Sequence, residues 1–385
     1  MQSTRYLIVG GGLTGDAACK GIRDVDADGT IALVSEEPYA PYTRPPLSKA
    51  LWTGKDESTI WRGTAELGVD LHLGRRIVAL DLDQRTARDD LGECYAYEKV
   101  LLATGGSPRK LPFGGDDVIY FRTLDDYRRL RELAAPGLRV GVIGGGFIGS
   151  EIAAALTIAG CAVTMVFPEP GIGARVFPAD LSAELVDYYR RHGVDVRTGV
   201  TVTGLEPGRI LLGDGETIDV SVVVAGIGIA PNVELAAAAG LPVSNGIVVD
   251  AFGRVGGRDD VFAAGDVARF PLAALAAEFR LEHEDQAKSH GRQVGANMAG
   301  AGQPYDHLPF FYSDLFDVGF EAVGEIDSRL ATVGDRNGLE GEATVYYLDE
   351  QRRPRGVLLW NQFGKVDAAR ELIRAGVPFE PALVG

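Results

Sequence analysis

Short apolar runs alternate with amphipathic stretches along most of the chain, which is the pattern of strands and helices in α/β domains. Apolar runs at Tyr6–Val9 and Arg139–Ile143 predict buried strands, and each run leads directly into glycines and then into a helix. The first helix is predicted to end near Arg23 and the second to cover Phe147–Ala159. The same βα scheme thus occurs twice and predicts two Rossmann-like dinucleotide-binding domains in an α/β protein.

The remaining pattern divides the chain further. We predict strands in Thr30–Val34, Val69–Asp83, Ala96–Thr104, Ala162–Phe167, Ile218–Asn232 and Val261–Val267, and helices at Leu124–Ala134, Leu181–Gly193 and Ala287–Ala299. From about Leu308 the alternation is strand-like and ends in a helix at Val366–Ala375, which predicts a small C-terminal α+β domain. The predicted domains are residues 1–112 with 243–309, residues 113–242, and residues 310–385.

Composition limits the possible functions. A chain of 385 residues that is 46% hydrophobic can bury more than one core. Its net charge of −16 argues against nucleic acid or an anionic membrane as the main partner. Glycines and Glu151 interrupt the apolar stretches, so no membrane span is expected, and the first residues do not resemble a signal peptide. We therefore expect a cytoplasmic protein.

The cysteines and histidines show no pattern of metal ligands. Cys19, Cys94 and Cys161 are far apart, with no CxxC pair, and we predict that all three are buried thiols. The five histidines have no zinc-like spacing with these cysteines. We expect no metal site.

One glycine-rich turn follows the first predicted strand in each of the two dinucleotide-binding domains. The glycines are Gly10, Gly12 and Gly15 in the first turn and Gly144, Gly146 and Gly149 in the second. Without side chains there, a pyrophosphate can approach the free N–H groups at the positive end of the next helix. One such motif is weak evidence, because similar turns also close ordinary strand–helix corners. Two in one chain predict two bound dinucleotides.

An acidic residue follows the second strand of each predicted domain. Glu36 lies where the motif places an acid that binds ribose hydroxyls, although a solvated turn glutamate is an alternative. Glu169 lies two residues beyond the strand end at Phe167. A carboxylate there repels a 2′-phosphate and favours NADH, whereas the nearby Arg175 would soften that preference and keeps NADPH possible.

A proline-rich loop between Pro38 and Trp52 is predicted to deliver Ser48 and Lys49 to the start of a helix. Arg44 is suited to clamp a pyrophosphate, and Lys49 to contact an electron-rich ring or to pair with a buried acid. For both cations an ordinary surface charge is the alternative.

Further candidates lie at predicted strand ends. Thr104 belongs to a run of small residues that lets backbone approach a ligand, and Gly228 is expected opposite the nicotinamide. Asp266 can bind a sugar-like hydroxyl chain, cap a helix, or do both. The polar run from Glu282 to Gln286 opens a helix, and a solvated helix face is its alternative.

These motifs resemble the FAD-dependent pyridine nucleotide-disulphide oxidoreductases, within them the branch of ferredoxin reductases, rubredoxin reductases and apoptosis-inducing factor. The resemblance covers nearly the whole chain. The most specific motifs are RPPLSKALW (Arg44–Trp52), ATGGSPR (Ala103–Arg109), IGGGFIGSE (Ile143–Glu151), VFPEPG (Val166–Gly171), FFYSDLFDVGFEAVGEID (Phe310–Asp327) and GVLLWN (Gly356–Asn361).

The resemblance implies two sets of cofactor ligands. FAD would be bound by Gly10, Gly12, Gly15, Glu36, Arg44, Lys49, Thr104, Arg122, Asp266, His283 and Tyr312. NAD would be bound by Gly144, Gly146, Phe147, Ile148, Gly149, Glu151, Glu169, Gly228 and Glu282. Lys49 and Glu151 would form the catalytic ion pair beside the flavin, and Phe147 would cover the flavin until nicotinamide stacks there. Glu282, His283 and Tyr312 would surround the ring.

The sequence supports a partner for Glu151 independently of the resemblance. Glu151 lies within the otherwise apolar stretch FIGSEIAAAL. An unpaired buried carboxylate would cost several kcal/mol or remain protonated. A glutamate that is merely favoured by the helix dipole in the first turn is the alternative.

The chain also departs from the family that it resembles. Tyr312 replaces a tryptophan of apoptosis-inducing factor, and the long regulatory insertion of that protein is missing before Val345, which argues against an apoptosis-like regulatory role. The segment from Pro41 to Lys49 lacks the cysteine that disulphide reductases use. The resemblance therefore implies an FAD-dependent NADH oxidoreductase with an external electron acceptor.

The leading candidate for that acceptor is a small ferredoxin-type iron–sulfur protein. Direct reduction of a quinone, dioxygen or an ascorbate-type radical is an alternative. A redox-responsive NADH-binding protein that resembles apoptosis-inducing factor is a further one. The sequence is compatible with a monomer or a homodimer.

Overall fold

A computed structural model describes residues 2–380 as two compact units. The first unit contains the chain up to Thr43, Ser58–Ser107 and Ala230–Pro309. The second contains Arg44–Glu57, Pro108–Ile229 and the chain from Phe310 onward. Residue 1 of the predicted first domain and residues 381–385 of the predicted C-terminal domain lie outside the described residues.

The regular elements are numbered here in chain order. The helices are α1 (Leu13–Val25), α2 (Leu124–Leu133), α3 (Phe147–Ile158), α4 (Ala179–Arg191), α5 (Glu234–Ala238), α6 (Glu284–Met298) and α7 (Val366–Ala375). The strands are β1 (Gln2–Val9), β2 (Ile31–Ser35), β3 (Val69–Leu73), β4 (Ile77–Asp81), β5 (Thr86–Asp89), β6 (Cys94–Leu102), β7 (Gly106–Pro108), β8 (Val118–Tyr120), β9 (Arg139–Ile143), β10 (Ala162–Phe167), β11 (Asp195–Thr198), β12 (Val202–Glu206), β13 (Arg209–Leu212), β14 (Thr217–Asp219), β15 (Val222–Ala225), β16 (Ile229–Pro231), β17 (Ile247–Val248), β18 (Val261–Ala263), β19 (Ala268–Leu272), β20 (Ala277–Phe279), β21 (Phe310–Leu315), β22 (Val318–Gly324), β23 (Ala331–Val333), β24 (Ala343–Leu348) and β25 (Pro354–Trp360). Over residues 2–380, no helix combines the length and the hydropathy that crossing a bilayer requires.

The first unit is built on a sheet with the order β3-β2-β1-β6, extended by β5 and β4, and β18 also pairs with β6. The pairs of β1 with β2 and β6 are parallel, with Tyr6 opposite Ile31 and Val9 opposite Leu102. Strand β2 is buried throughout, as expected for a parallel strand covered on both faces. Helices α1 and α6 cover the core with side chains such as Ile22 and Val294.

The second unit contains a parallel sheet with the order β11-β10-β9-β15-β8. Strand β9 lies between β10 and β15, with Val140 opposite Val163 and Val222. The strands β12, β13 and β14 form an antiparallel sheet, and β13 contributes Ile210 and Leu212 to the adjoining core.

The last part of the second unit is an antiparallel sheet with the order β21-β22-β25-β24-β23, accompanied by α7. Strand β21 alternates, because Ser313 and Leu315 are buried whereas Tyr312 and Asp314 are exposed. The predicted fold class is thus confirmed, because two sheets with parallel central strands carry glycine turns after β1 and β9 and a small α+β part follows.

Predicted and observed elements agree where the hydrophobic period is clear. Strands β9 and β10 and helix α7 have the predicted bounds. The predicted helix start at Ser48 and Lys49 is wrong, because Pro45–Ser48 form one 3-10 turn that ends at Lys49. The predicted buried strand Ile218–Asn232 is also wrong. It is interrupted twice, and one interruption contains Gly228, whose φ of +90° does not suit a strand.

Candidate functional site

The first glycine turn joins β1 to α1 in the first unit. A Cβ atom on Gly10 would lie 2.2 Å from the carbonyl oxygen of Ala103, and one on Gly15 would lie 2.1 Å from that of Gly10. These two glycines are therefore required for the turn to close. Gly12 precedes α1, and no other atom lies within 4 Å of the position where its Cβ would be. The open space above Gly12 suits a ligand group that contacts bare backbone.

Two candidate residues lie beside this turn. The backbone nitrogen of Thr104 is 3.3 Å from the Cβ position of Gly10. The Thr104 hydroxyl donates to the Asn232 carbonyl oxygen at 2.7 Å, and the Asn232 amide donates to the Thr104 carbonyl at 2.9 Å. A Cβ on Gly265 would lie 2.1 Å from Thr14 Oγ1, which places Asp266 next to the start of α1. The structure thus brings Thr104 and Asp266 to the first turn.

The start of α6 contributes His283, the residue before the helix. Burial lowers the pKa of His283 to about 4, although the negative charges of Asp266 and Asp285 oppose that shift. His283 is therefore a neutral imidazole near neutral pH. Glu282 pairs with Arg280 at 2.8 Å. Glu36 is exposed directly after β2, where the sequence predicted an acid.

The second glycine turn joins β9 to α3 and repeats this geometry in the second unit. A Cβ on Gly144 would lie 2.4 Å from the Gly226 carbonyl oxygen, and one on Gly149 would lie 2.0 Å from that of Gly144. Gly146 precedes α3, and its Cβ position has no neighbour within 4 Å. Gly226, which packs directly on the turn, was not predicted from the sequence. Gly228 lies two residues further along, and its carbonyl accepts from the Arg109 nitrogen at 2.9 Å.

The segment after β10 returns to the second turn. The Gly173 nitrogen donates to the Gly145 carbonyl at 2.8 Å, which fixes the loop that contains Glu169. Arg175 Nη2 lies 2.6 Å from Glu169 Oε1, and the Arg175 side chain is 85% exposed. Glu169 thus lies in a loop that is hydrogen-bonded to the second turn, and one of its oxygens has an arginine partner.

Lys49 and Glu151 form a buried ion pair within the second unit. Lys49 Nζ is 2.6 Å from Glu151 Oε1, and Glu151 is 4% exposed. Two hydroxyls complete the environment of the carboxylate. Ser48 Oγ donates to Oε2 at 2.5 Å and Ser313 Oγ donates to Oε1 at 2.6 Å. Because Glu151 is the fifth residue of α3, it lies beyond the first turn, and its partners account for it better than the helix dipole does.

Neither serine was predicted from the sequence to be part of this site. Ser48 directly precedes Lys49, and Ser313 is the buried position between exposed Tyr312 and Asp314. The alternation along β21 could have identified Ser313 as inward-facing. The remote partner of its hydroxyl could not be predicted from local sequence.

Aromatic side chains surround the start of α3. The Phe147 ring has its centroid 5.2 Å from that of Phe311 and 6.1 Å from that of Phe320. Ile148, the next residue, is 39% exposed. Lys49 Nζ lies 5.5 Å from the centroid of the Tyr312 ring, a distance at which a cation attracts an aromatic face. Arg44 Nη1 donates to the Arg122 carbonyl at 3.1 Å, so these two candidates also meet.

The candidate residues divide between the units. Those in the first unit are Gly10, Gly12, Gly15, Glu36, Thr104, Asp266, Glu282 and His283. Those in the second are Arg44, Lys49, Arg122, Gly144, Gly146, Phe147, Ile148, Gly149, Glu151, Glu169, Gly228 and Tyr312. Each unit has a closed glycine turn with one open position, so the residues present fit one dinucleotide per unit. The individual assignments to FAD and NAD stay predictions.

The cysteines do not form a redox centre within the described residues. Cys19 and Cys161 are buried, whereas Cys94, predicted to be buried, is only half-buried because it begins β6. Burial raises the pKa of Cys19 to about 12 and also raises that of Cys161, which makes both thiols poor nucleophiles. All three cysteines are free.

Two sheets with parallel central strands, each with a glycine turn that has one open position, together with a buried lysine–glutamate pair, define a class of oxidoreductases with two dinucleotide sites. Residues 4–291 match the family described as "Pyridine nucleotide-disulphide oxidoreductase". Residues 294–337 match "Apoptosis-inducing factor, mitochondrion-associated, C-term". The chain belongs to the pyridine nucleotide-disulphide oxidoreductase family. The predicted family, the oxidoreductase class and the cofactors FAD and NADH are confirmed.

The chain is also similar to individual members of this family. It is 33% identical to apoptosis-inducing factor 1, mitochondrial, of Dictyostelium discoideum, covering 97% of this chain and 79% of that protein. It is 34% identical to the ferredoxin–NAD(+) reductase component of the anthranilate 1,2-dioxygenase system of Burkholderia cepacia, covering 99% and 97%. A chain of the covalent putidaredoxin reductase–putidaredoxin complex superposes with a TM-score of 0.93 at 32% identity, covering 100% and 96%.

Proposed function

We propose that the protein is a cytoplasmic, FAD-dependent reductase that passes electrons from NADH to a small ferredoxin-type iron–sulfur protein. The observation that carries this proposal is the buried Lys49–Glu151 ion pair directly after the second open glycine turn. Similarity over 97% of a ferredoxin–NAD(+) reductase component supports the class of acceptor.

The chain's own residues would orient the two dinucleotides. The open positions at Gly12 and Gly146 would admit the two pyrophosphates, and Glu36 and Asp266 would bind hydroxyls of FAD. Phe147 and its aromatic neighbours would exclude water near the nicotinamide. FAD, when bound, accepts a hydride and releases electrons singly. The Lys49 ammonium would provide positive charge where negative charge develops.

An external acceptor fits the state of the thiols. The described residues contain no disulphide, and burial raises the pKa of both Cys19 and Cys161, so neither thiol is activated. Electrons that enter the protein would therefore leave to a separate molecule. An iron–sulfur protein is a one-electron carrier and needs a flavin to divide the electron pair.

Steady-state NADH oxidation by the holoenzyme tests this function. We expect a [2Fe–2S] ferredoxin, with cytochrome c as the final reporter, to raise NADH turnover well above the rates with a quinone or dioxygen alone. Equal or faster turnover with the small acceptors, and no stimulation by ferredoxins from several sources, would contradict the proposed acceptor. A ferredoxin encoded beside this protein would be the first choice.

The match of residues 294–337 favours one further candidate, a redox-responsive protein whose NADH complex is long-lived. Stopped-flow reoxidation and sizing with and without NADH would separate the two. Fast reoxidation and an unchanged size would exclude this second function.

A further inference from the structure

The carboxylate of Glu151 has three partners from two different segments of the second unit. The 3-10 turn Pro45–Ser48 and its next residue supply Ser48 and Lys49, and β21 supplies Ser313. The two serines are 5% and 1% exposed. Each donates to a carboxylate that is remote in sequence, at the short distances typical of hydrogen bonds to a charged acceptor.

The two oxygens of Glu151 are held differently. Lys49 Nζ and Ser313 Oγ both approach Oε1, each at 2.6 Å. Ser48 Oγ donates to Oε2 at 2.5 Å. Within residues 2–380 it is the only hydrogen-bond donor to that oxygen. Its other neighbour is the Pro45 carbonyl at 3.4 Å, a much longer contact. Loss of Ser48 thus leaves Oε2 without a donor, whereas loss of Ser313 still leaves Lys49 on Oε1 and Ser48 on Oε2.

Each serine is adjacent in sequence to a residue at the Lys49 end of the ion pair. Ser48 precedes Lys49 and Ser313 follows Tyr312, and Lys49 Nζ lies 5.5 Å from the Tyr312 ring centroid. Hydroxyl donors on both oxygens restrict rotation of the carboxylate. A fixed carboxylate in turn fixes the ammonium group, which is a flexible point charge when it has no anchored partner.

We infer that Ser48 and Ser313 are positioning residues that act through Glu151 to hold the Lys49 ammonium in place for the reaction. The inference rests on the proposed function in one respect, namely that Lys49 acts at the flavin. It assigns no contact between either serine and a cofactor. A hydrogen bond to a charged group changes a rate or equilibrium constant by about tenfold. Removal of either serine should therefore have a measurable effect on the rate of flavin reduction.

The test uses the FAD-loaded protein without any electron acceptor. Ser48→Ala and Ser313→Ala are compared with Ser182→Ala, a buried serine of α4 that donates to the Ile172 carbonyl and does not contact Glu151. We expect the limiting rate of flavin reduction by NADH to fall about tenfold in Ser48→Ala and less in Ser313→Ala. The NADH dissociation constant should change little, and Ser182→Ala should match the wild type.

The flavin midpoint potential, measured without nucleotide, gives a readout separate from activity. It should fall in both alanine variants, because the positive charge is less well placed, and Ser48→Thr and Ser313→Thr should restore it. In a Glu151→Ala background the same serine changes should add nothing. If the alanine variants bind no FAD, Ser48→Cys and Ser313→Cys replace them. Because a thiol is a weaker donor than a hydroxyl, their midpoint potentials should fall between the values of the wild type and of Glu151→Ala.

Unchanged midpoint potentials and reduction rates in the FAD-loaded serine variants would overturn the inference. It would also be overturned if the serine changes had the same effect in the Glu151→Ala background as in the wild-type background. Failure of the proposed function looks different. A wild-type protein that is reduced by NADH but not stimulated by ferredoxin refutes the acceptor and leaves these measurements valid.

Discussion

Lys49 Nζ lies 2.6 Å from Glu151 Oε1, and the two side chains are 12% and 4% exposed. Removal of one partner from such a pair leaves a buried charge uncompensated, which costs about 3 kcal/mol or more. We therefore expect Lys49→Ala to lower the free energy of unfolding by roughly that amount and to keep FAD bound. Reduction by NADH should slow by at least about tenfold, measured by anaerobic stopped flow.

Glu151→Ala should slow the reduction similarly. The double variant Lys49→Ala/Glu151→Ala should lose less stability than the sum of the two single losses, because it leaves no unpaired charge. If both single variants reduce as fast as the wild type, the pair has no catalytic role.

The glycine turns offer matched substitutions that separate folding from binding. Gly144→Ala places a Cβ 2.4 Å from the Gly226 carbonyl oxygen at a φ of +117°, so it should destabilise the second unit. Gly146→Ala meets no neighbour within 4 Å and should fold normally. It should still weaken NADH binding about tenfold or more, because the methyl group occupies the open position.

Thermal unfolding and NADH titration of the two proteins check this contrast. Wild-type NADH affinity in a folded Gly146→Ala protein would show that the nucleotide does not approach this turn.

We predict that Glu169 controls the choice between NADH and NADPH. A carboxylate near the ribose repels a 2′-phosphate, and Arg175 at 2.6 Å neutralises only part of that charge. Glu169→Ala should therefore raise the ratio of kcat/KM for NADPH over NADH by about tenfold, since it removes the repulsion and frees Arg175. Arg175→Ala is the opposite control and should strengthen the preference for NADH. A wild-type preference for NADPH would contradict the assignment.

A buried histidine in α6 predicts acid lability. Burial lowers the pKa of His290 to about 3 from an ordinary value of 6.5. Its Nδ1 lies 3.1 Å from Gln286 Nε2, and its Nε2 has no partner within residues 2–380. Below about pH 6.5 the unfolded chain binds a proton at His290, whereas the folded protein does not until about pH 3. The free energy of unfolding therefore decreases as the pH decreases between these two values.

For His290 alone this loss amounts to about 2 kcal/mol between pH 6.5 and pH 5. His290→Phe should remove that part of the dependence, as measured by urea unfolding at pH 7.5, 6 and 5. His283 would contribute a similar loss in the same direction, because burial lowers its pKa to about 4. An identical pH slope in the variant would refute the role of His290.

Features that depend on local sequence could be predicted. Strands β9 and β10 could be predicted because their apolar runs end at glycines or proline, and α7 because its period is clear. The glycine turns could be predicted because their function requires a fixed spacing. Glu151 could be predicted to need a partner, because a charge in an apolar stretch has few alternatives.

Other features depend on contacts between distant segments. The hydroxyl of Ser313 meets Glu151 only after β21 has packed against α3, and no local pattern encodes that contact. The same applies to Gly226, whose lack of a side chain matters because Gly149 lies against it. The Pro45–Ser48 turn was mistaken for the start of a helix, because prolines are compatible with both.

The most direct test of the whole account is the visible spectrum of the purified protein during an anaerobic titration with NADH. We predict a yellow protein whose flavin absorption is bleached by one equivalent of NADH per FAD and returns when a ferredoxin-type acceptor and a terminal oxidant are added. A colourless protein that takes up no FAD when it is supplied, or a flavin that NADH leaves oxidised, would contradict it.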